Sequence, residues 1–326
     1  MVTEQLLDQQ ATDHDTGRLR TLAGRALGKV FDVSSSTMMP PNISDDPTNA
    51  RLKQVVFTVT ECCRTTVVDP RPESLVPKLQ AYDKELAGFA YEGAGLGLAA
   101  LDVLNPSGRR TLALASGLGE PYIYGIYLGA GMALARMRAN AEKFRRRLED
   151  PIFGWVVMDG YGFHEGFFAH EKYVTRQRIP RRLHGYSRRV FDHGMGRSIW
   201  FSFSADVERV RAGIASFDEA RQGDLWEGVG LACGYTGGVE REAVEHLRDA
   251  AGKRLPHLAV GAAMAASIRH RVGNPVDHND FASQVLCGMS SNESASLVDG
   301  LQKGLPTAAD TPAYALWRER IRRQFE

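Results

Sequence analysis

The chain has 326 residues, a formal net charge of +1, 43% hydrophobic and 24% charged residues, and four cysteines. This composition is typical of a globular protein of one large or two ordinary domains, and the near-neutral charge gives no electrostatic case for binding nucleic acid or an anionic membrane. The cysteines fit neither a disulfide framework nor a zinc spacing, so we expect a reducing, cytoplasmic environment and no metal or other cofactor.

Residues 1–49 precede any regular pattern. Residues 1–16 are polar and acidic, which argues against a signal peptide, and we expect them to be disordered. A helix is predicted over 19–31, followed by a linker over 32–49 that is rich in serine and proline. Further along, the longest apolar run, 122–135, is too short to span a bilayer, which requires about 20 residues, so we expect no membrane span.

Residues 50–70 allow two interpretations. Their β-branched residues, VVFTVTECCRTTVV, favour a β-hairpin over 55–68 by local propensity. We prefer a helix, as a first unit that has lost its glycines, because the patterns that follow are helical. Residues 72–89 would then form the second helix of that unit.

The main signal is a glycine pair that recurs with a near-constant period. YEGAG begins at 91, YLGAG at 127, MDGYG at 158, DHGMG at 192 and WEGVG at 226, with a weaker copy, AVGAA, at 259. The first glycines of successive copies are 36, 31, 34, 34 and 33 residues apart. Each glycine costs a helix interior roughly 1 kcal/mol relative to alanine, so the repetition indicates that the helices need thin sides for close packing.

A period near 34 is typical of stacked helix–turn–helix units. Charged amphipathic segments follow several glycine helices, at 139–150, 204–217 and 238–252. We therefore predict an all-α fold of helix–turn–helix repeats, a TPR-like superhelix that forms one continuous domain over 50–311. An amphipathic helix over 312–326 would pack on the array.

The repeat also places chosen side chains on one face, because corresponding positions of stacked units point the same way. The residue before the first glycine is ionisable in four of six copies, on otherwise apolar helices. Ionisable groups in an apolar groove have shifted pKa values, as acid–base chemistry requires. The candidate proton donors and acceptors are Asp159, His164, Glu165, Asp192 and His193. The candidate substrate contacts are Tyr91, Glu92, Tyr127, Phe163, Arg197, Trp200, Trp226 and Glu227.

Other interpretations of the same residues and motifs are also possible from the sequence. An acid at a fixed repeat position is often a structural hydrogen-bond acceptor that ties neighbouring helices together. A phosphate-binding glycine loop at 160–166 lacks the preceding strand that such a loop needs. His164 and His170 are six residues apart, which is the wrong phase for two metal ligands on one helix, and DHND at 277–280 reads as a helix start rather than a magnesium site.

Four blocks carry a resemblance to a known family: FAYEGAG, GYGFHEGFF, GYSRRVFDHGMGRSIWF and DLWEGVGLACGYTGG. They resemble bacterial proteins of undefined function that are encoded beside enediyne-type iterative polyketide synthases. The resemblance covers roughly residues 50–300 and departs from the family at VVFTVTECC, where a glycine-bearing first unit is usual. It implies a role in specialised metabolism, on or near a linear polyene or another long apolar precursor.

Two functions follow as hypotheses. The first is an enzyme that binds a polyene or isoprenoid-like chain in the groove and rearranges or cyclises it by acid–base chemistry. The second is a scaffold without chemistry of its own that binds a polyketide synthase or a sister biosynthetic protein, since helical arrays are commonly binding proteins. The sequence leaves the oligomeric state open.

Overall fold

The computed structural model of the protein describes residues 47–306 and 310–326. The predicted helix over 19–31, the disorder over 1–16 and residues 32–46 of the linker predicted over 32–49 lie outside the described residues, and the last three residues of that linker belong to the first described helix. Within the described part the protein is all-helical, without strands, and forms one domain. The preference for a helix over 50–70 is confirmed, because one helix covers Pro47–Val68 and the alternative β-hairpin is wrong.

Fifteen α-helices occur in the described residues, and we number them in chain order. They are α1 (Pro47–Val68), α2 (Pro72–Gln80), α3 (Lys84–Leu104), α4 (Arg110–Ala115), α5 (Ile123–Arg136), α6 (Ala141–Arg147), α7 (Val156–Phe168), α8 (Tyr186–Ser202), α9 (Val207–Ala215), α10 (Glu219–Thr236), α11 (Arg241–Ala251), α12 (Leu255–Arg271), α13 (Asp277–Cys287), α14 (Ser291–Gln302) and α15 (Ala313–Arg322). Short 3₁₀ turns at Glu120–Tyr122, Phe153–Trp155 and Gly252–Arg254 precede α5, α7 and α12, and a π turn covers Glu171–Thr175.

Local chemistry sets several helix ends. Asn140, Asp206 and Asp218 each accept a hydrogen bond from a backbone N–H in the first turn of the following helix. Ser290 and Glu293 form a reciprocal capping box at the start of α14. Helix α13 begins at Asp277, so DHND is the start of a helix as expected from its sequence context.

The six glycine-bearing helices α3, α5, α7, α8, α10 and α12 are mostly buried and pack against one another in chain order. We call them the inner helices. The shorter, charged helices α6, α9 and α11 lie outside them. Gly125 and Gly129 of α5 face Gly88 and Glu92 of α3, respectively, so these two inner helices run in the same direction.

The recurring glycines let neighbouring backbones touch. The first glycine of a copy lies against the carbonyl just before the first glycine of the preceding inner helix: Gly129 on Glu92, Gly160 on Leu128, Gly194 on Asp159, Gly228 on His193 and Gly261 on Glu227. The second glycine lies against a carbonyl of the following inner helix: Gly95 on Ile126, Gly131 on Val157, Gly162 on Phe191, Gly196 on Leu225 and Gly230 on Leu258. A Cβ on any of these ten glycines would lie 1.8–2.1 Å from that carbonyl oxygen, so no larger residue fits.

The row of inner helices curls until its end meets its beginning. The ring of Tyr235 in α10 lies 5.1 Å from that of Phe89 in α3. Arg51 of α1 donates to the carbonyl of Thr236 at 3.0 Å, and Asn274, just after α12, donates to the carbonyl of Lys84 at 2.7 Å. The inner helices therefore surround a central axis, and their inward side chains are drawn into one interior.

The glycine contacts generate a stability prediction with an internal control. Gly129→Ala would place a methyl group 1.8 Å from the backbone oxygen of Glu92, and two packed helices must separate to admit it. We expect a loss of about 3 kcal/mol or more in the free energy of unfolding, the upper range for overpacked cores. Gly300→Ala in α14 meets nothing within 4 Å and should be neutral or gain up to about 1 kcal/mol. Denaturant unfolding measures both variants, and equal effects would contradict the packing role of Gly129.

Candidate functional site

An apolar slot opens between α1 and the inner helices α3, α5, α7 and α8. It encloses about 60 Å³. Its apolar and small wall residues are Val55, Val56, Val59, Thr60, Cys63, Phe89, Leu96, Met132, Phe163, Phe167, Phe168 and Phe201. Most of the wall that the inner helices supply comes from their second halves. A slot of this volume and composition fits part of a slender hydrocarbon chain better than a bulky ring system.

Three ionisable side chains from three different inner helices reach the slot and are almost fully buried. Glu92 of α3 is 5% exposed, His164 of α7 is 9% exposed and Arg197 of α8 is 4% exposed. Arg136 also lines the slot. The Arg197 guanidinium lies over the Phe163 ring, 5.0 Å from its centroid. The slot is thus an apolar passage with a polar floor, the usual form of a small-molecule site.

Glu92 supplies the carboxyl of this floor. The positive charge near it compensates for its burial less than the positive charges near Asp159 and Glu227 do for theirs. Burial raises the pKa of Glu92 to about 7, although the positive charge of Arg197 opposes the shift. The negative charge of Asp159 adds to it. Near neutral pH the Glu92 carboxyl therefore populates both its protonated and its ionised form, which is the condition for general acid–base chemistry.

His164 behaves differently from Glu92. Burial, helped by the positive charge of Arg136, lowers the pKa of His164 to about 3. The imidazole is therefore neutral at physiological pH. Its Nδ1 atom is buried and has no hydrogen-bond partner among the described residues.

Asp159 is the centre of a hydrogen-bond network just behind the slot. It is fully buried and accepts from Tyr124 Oη at 2.9 Å and from Arg197 at 3.2 Å, and it lies 2.9 Å from Nδ1 of His193. Burial alone would raise its pKa, but His193 and Arg197 outweigh it and lower the pKa of Asp159 to about 2. Asp159 therefore stays ionised and holds Arg197 in place.

A second network closes the opposite end of the interior. Arg318 of α15 is buried and donates to both Glu227 and Asp224 of α10. His257 lies 2.9 Å from Glu227 through Nδ1. Burial would raise the pKa of Glu227, but Arg318 and His257 lower it to about 2. The C-terminal helix is therefore tied into the protein by charge as well as by apolar packing of Tyr314 and Trp317.

The structure separates the predicted site residues into three groups. Glu92, Phe163, His164 and Arg197 line the slot. Asp159, His193 and Glu227 are buried, but they are engaged with protein partners and are not among the residues that line the slot. Tyr91, Tyr127, Trp200 and Trp226 are buried in the core away from the slot wall, with Tyr91 stacked on Tyr122 at 3.9 Å.

Two further candidates lie apart from the slot. Asp192 is paired with Arg221, whose Nε lies 2.8 Å from its carboxylate, although burial still keeps the pKa of Asp192 above its usual value. Arg197, further along α8, pairs with Asp159 and not with Asp192. Glu165 is only partly buried, and burial raises its pKa against the opposing charge of Lys172. Both positions fit structural roles better than catalytic ones.

Five partners of these carboxylates were not anticipated from the sequence: Tyr124, Arg221, Asp224, His257 and Arg318. Only Arg318 carried a usable signal. It lies in the apolar stripe of α15 formed by Tyr314, Trp317 and Ile321, and an arginine within such a stripe indicates a buried anionic partner. Tyr124 lies in the longest apolar run, where its sequence indicates only a core position. Arg221, Asp224 and His257 lie near the starts of their helices beside other charged residues, as on any exposed helix start.

The described residues give two further negative findings. Within 47–306 and 310–326, no group of three His, Cys, Asp or Glu side chains is arranged to hold a metal ion. No helix in that part of the chain is long and apolar enough to cross a membrane.

Within the described residues the protein is all-helical. Its glycine-bearing inner helices enclose buried ionisable side chains, and an apolar slot opens between these helices and α1. The chain belongs to the family described as "Protein of unknown function (DUF1702)", which matches residues 34–325. No curated protein and no solved structure matches the chain.

The network at α15 predicts a large loss of stability when its cation is removed. Arg318→Met would leave Glu227 and Asp224 buried with fewer partners, and breaking one side of a buried ion pair costs about 3–5 kcal/mol. The control is Arg323→Met on the same helix end, where an exposed pair with Glu319 contributes about 0–1 kcal/mol. Equilibrium unfolding in urea measures both. If the Arg318→Met variant were as stable as the control, α15 would be held by apolar packing alone.

The raised pKa of Glu92 predicts a pH-dependent stability. The folded protein holds this proton up to about pH 7, whereas the unfolded chain releases it near 4.5, so the folded state binds more protons in between and loses stability as pH rises through that window. The full effect above pH 7 is about 3 kcal/mol for a shift of this size. Glu92→Gln removes it.

The measurement is the difference in unfolding free energy between Glu92→Gln and the unmodified protein at pH values of about 4.5, 6 and 8, which bracket the window. Other titrating groups cancel in this difference, which should rise in favour of the variant as pH increases. A difference that is flat with pH would mean that Glu92 titrates normally.

Proposed function

We propose that the protein is an enzyme of specialised metabolism that binds a linear polyene or isoprenoid-like chain in the slot and rearranges or cyclises it by acid–base chemistry. The observation that carries the proposal is Glu92, a carboxyl at the floor of an apolar slot with its pKa raised to about 7. A proton moved to and from an unsaturated chain requires a group that changes its charge near the working pH. No oxidant or reductant is needed for such an isomerisation.

The side chains have separate roles in this proposal. Glu92 donates and recovers the proton. Asp159 and His193 are positioning residues, because they act through Arg197 and do not reach the slot. The rings of Phe89, Phe163 and Phe201 present apolar and π-electron surface to the chain, which suits both a polyene and positive charge that develops on it.

The small volume of the slot restricts the substrate to a slender shape. About 60 Å³ admits part of an extended chain, so a longer precursor would extend out of the slot or widen it by side-chain movement. Bulky polycyclic substrates would need the inner helices to separate, and the glycine contacts oppose that separation.

Two wider inferences belong to the same proposal. We infer that the helices are divergent copies of a helix–turn–helix unit of about 34 residues that form a TPR-like superhelix, and the repeating register of the glycine contacts supports this. The resemblance to proteins encoded beside enediyne-type polyketide synthases supports the placement in specialised metabolism.

A second candidate function, a scaffold, is favoured by one separate observation. Residues 171–189 contain seven lysines and arginines and one acid, in a chain with a net charge of only +1. Arg178, Arg181 and Arg182 of this segment are exposed. Such a surface suits an acidic face of a polyketide synthase or of a sister biosynthetic protein.

One comparison of variants tests both candidates. Glu92→Gln should lower product formation at least about a hundredfold, the usual contribution of a general acid or base, in a producing strain or a reconstituted reaction. Asp192→Asn, matched for folded protein, should retain most of it, because Asp192 is bound to Arg221 and does not reach the slot. Full product formation by the Glu92→Gln variant would remove Glu92 from the chemistry. If reversal of Arg178, Arg181 and Arg182 to glutamate abolished the product instead, the scaffold function would stand.

A further inference from the structure

The floor of the slot contains a hydrogen-bond donor that the protein leaves unused. Arg197 is 4% exposed and donates through one terminal nitrogen to Asp159 at 3.2 Å. Its Nε atom is buried and has no hydrogen-bond partner among the described residues. A buried donor on a charged group that lacks an acceptor is costly, and the Arg197 side chain lines the slot, so an acceptor that enters the slot would relieve this cost.

Two neighbours at the floor extend the same pattern. The buried Nδ1 of His164 also has no partner within the described residues, and the imidazole is neutral, so it can either donate or accept. Glu92 lines the same floor and interacts electrostatically with Arg197. Protonated Glu92 can donate a hydrogen bond.

These groups point to one feature of the ligand. The Arg197 donor is already buried and unpaired among the described residues, and a pure hydrocarbon would leave it so and gain nothing from it. A chain with an oxygen at its buried end would pair that donor while the rest of the chain fills the apolar walls. Arg254, in the surface cleft at the start of α10, also has a buried Nε without a partner among the described residues, but that cleft is lined mainly by charged side chains and offers no apolar wall to a chain.

We propose that the ligand enters the slot oxygen end first and that a carbonyl or carboxylate oxygen accepts a hydrogen bond from Arg197 Nε. The substrate class is therefore an oxygen-terminated chain, such as a fatty acid, aldehyde or ketone, rather than a bare polyene. This inference rests on the proposed function of the slot as a chain-binding site.

The oxygen also gives Arg197 a function in the proton transfer. Deprotonation next to a carbonyl develops negative charge on that oxygen, and a buried guanidinium stabilises it. Glu92 on a neighbouring inner helix is then the group that moves the proton.

The test is a displacement assay with the full-length protein and parinaric acid, a fluorescent tetraene fatty acid, as the probe. Dodecanoic acid, 2-dodecanone and 1-dodecene compete for the slot near neutral pH. The acid and the ketone should each displace the probe at a concentration about tenfold or more below that of the alkene, the ratio expected when a hydrogen bond to a charged donor contributes about 1.5–3 kcal/mol. The acid and ketone arms show whether a carboxylate or a neutral carbonyl is preferred.

Two variants separate the inference from the function on which it rests. Arg197→Met removes the donor and should reduce the preference for the oxygen-bearing competitors to about threefold or less, since the hydrogen bond that contributes about 1.5–3 kcal/mol is lost. Leu96→Trp narrows the slot and should weaken all three competitors alike while keeping the preference.

The outcomes are distinct. If the probe fails to bind the unmodified protein, or binds the Leu96→Trp variant equally well, the slot is not the chain site and the proposed function fails. If the competitors bind at the slot but the unmodified protein prefers the acid and the ketone by less than about threefold, the oxygen-first inference is overturned and the slot function stands. The unmodified protein decides this even if the Arg197→Met variant does not fold.

Discussion

The structure depends on the contact between glycine Cα atoms and backbone carbonyls of neighbouring helices. Ten glycines of the inner helices leave no room for a side chain, so the helices approach as closely as their backbones allow. Close approach maximises dispersion contacts and offsets the helix propensity that each glycine forfeits. It also fixes the rotation of each helix about its axis, because only the glycine edge can face the neighbour. The direction of every other side chain on the inner helices follows from that rotation.

One consequence is a charged interior. The residue before the first glycine supplies the carbonyl against which the next helix packs, and in four copies it is Glu92, Asp159, His193 or Glu227, all of them buried. Ionised groups enclosed in this way are stable only with partners. Tyr124, His193 and Arg197 serve Asp159, while His257 and Arg318 serve Glu227. The last helix of the chain is therefore part of the interior, since it carries one of these partners.

The sequence predicted the helices and the inward positions but not the pairing between them. The period of the glycines identified α3, α5, α7, α8 and α10, and in four of the copies the ionisable residue before the first glycine is buried. The pairing was inaccessible because it joins residues far apart: Tyr124 and Asp159 are 35 positions apart, and Arg318 and Glu227 are 91 apart. Asp192 and His193 are adjacent in the sequence, yet Asp192 pairs with Arg221 and His193 pairs with Asp159. Which partner each of two such neighbours meets depends on the rotation of the helix about its axis, which the sequence alone does not give.

The difference between Glu92 and the other inward carboxyls is the basis for placing the proposed chemistry at Glu92. Asp159 and Glu227 have enough cationic partners to keep their pKa values at about 2, so they remain ionised and exchange no protons near neutral pH. Glu92 is just as buried, but the cation nearest to it is held by Asp159, and its pKa is about 7. The network around Asp159 thus satisfies one carboxylate at the expense of Glu92, and Glu92 is the one that lines the slot. A fold that needed Glu92 only for structure would have no reason to leave it undercompensated beside an arginine with an unused donor.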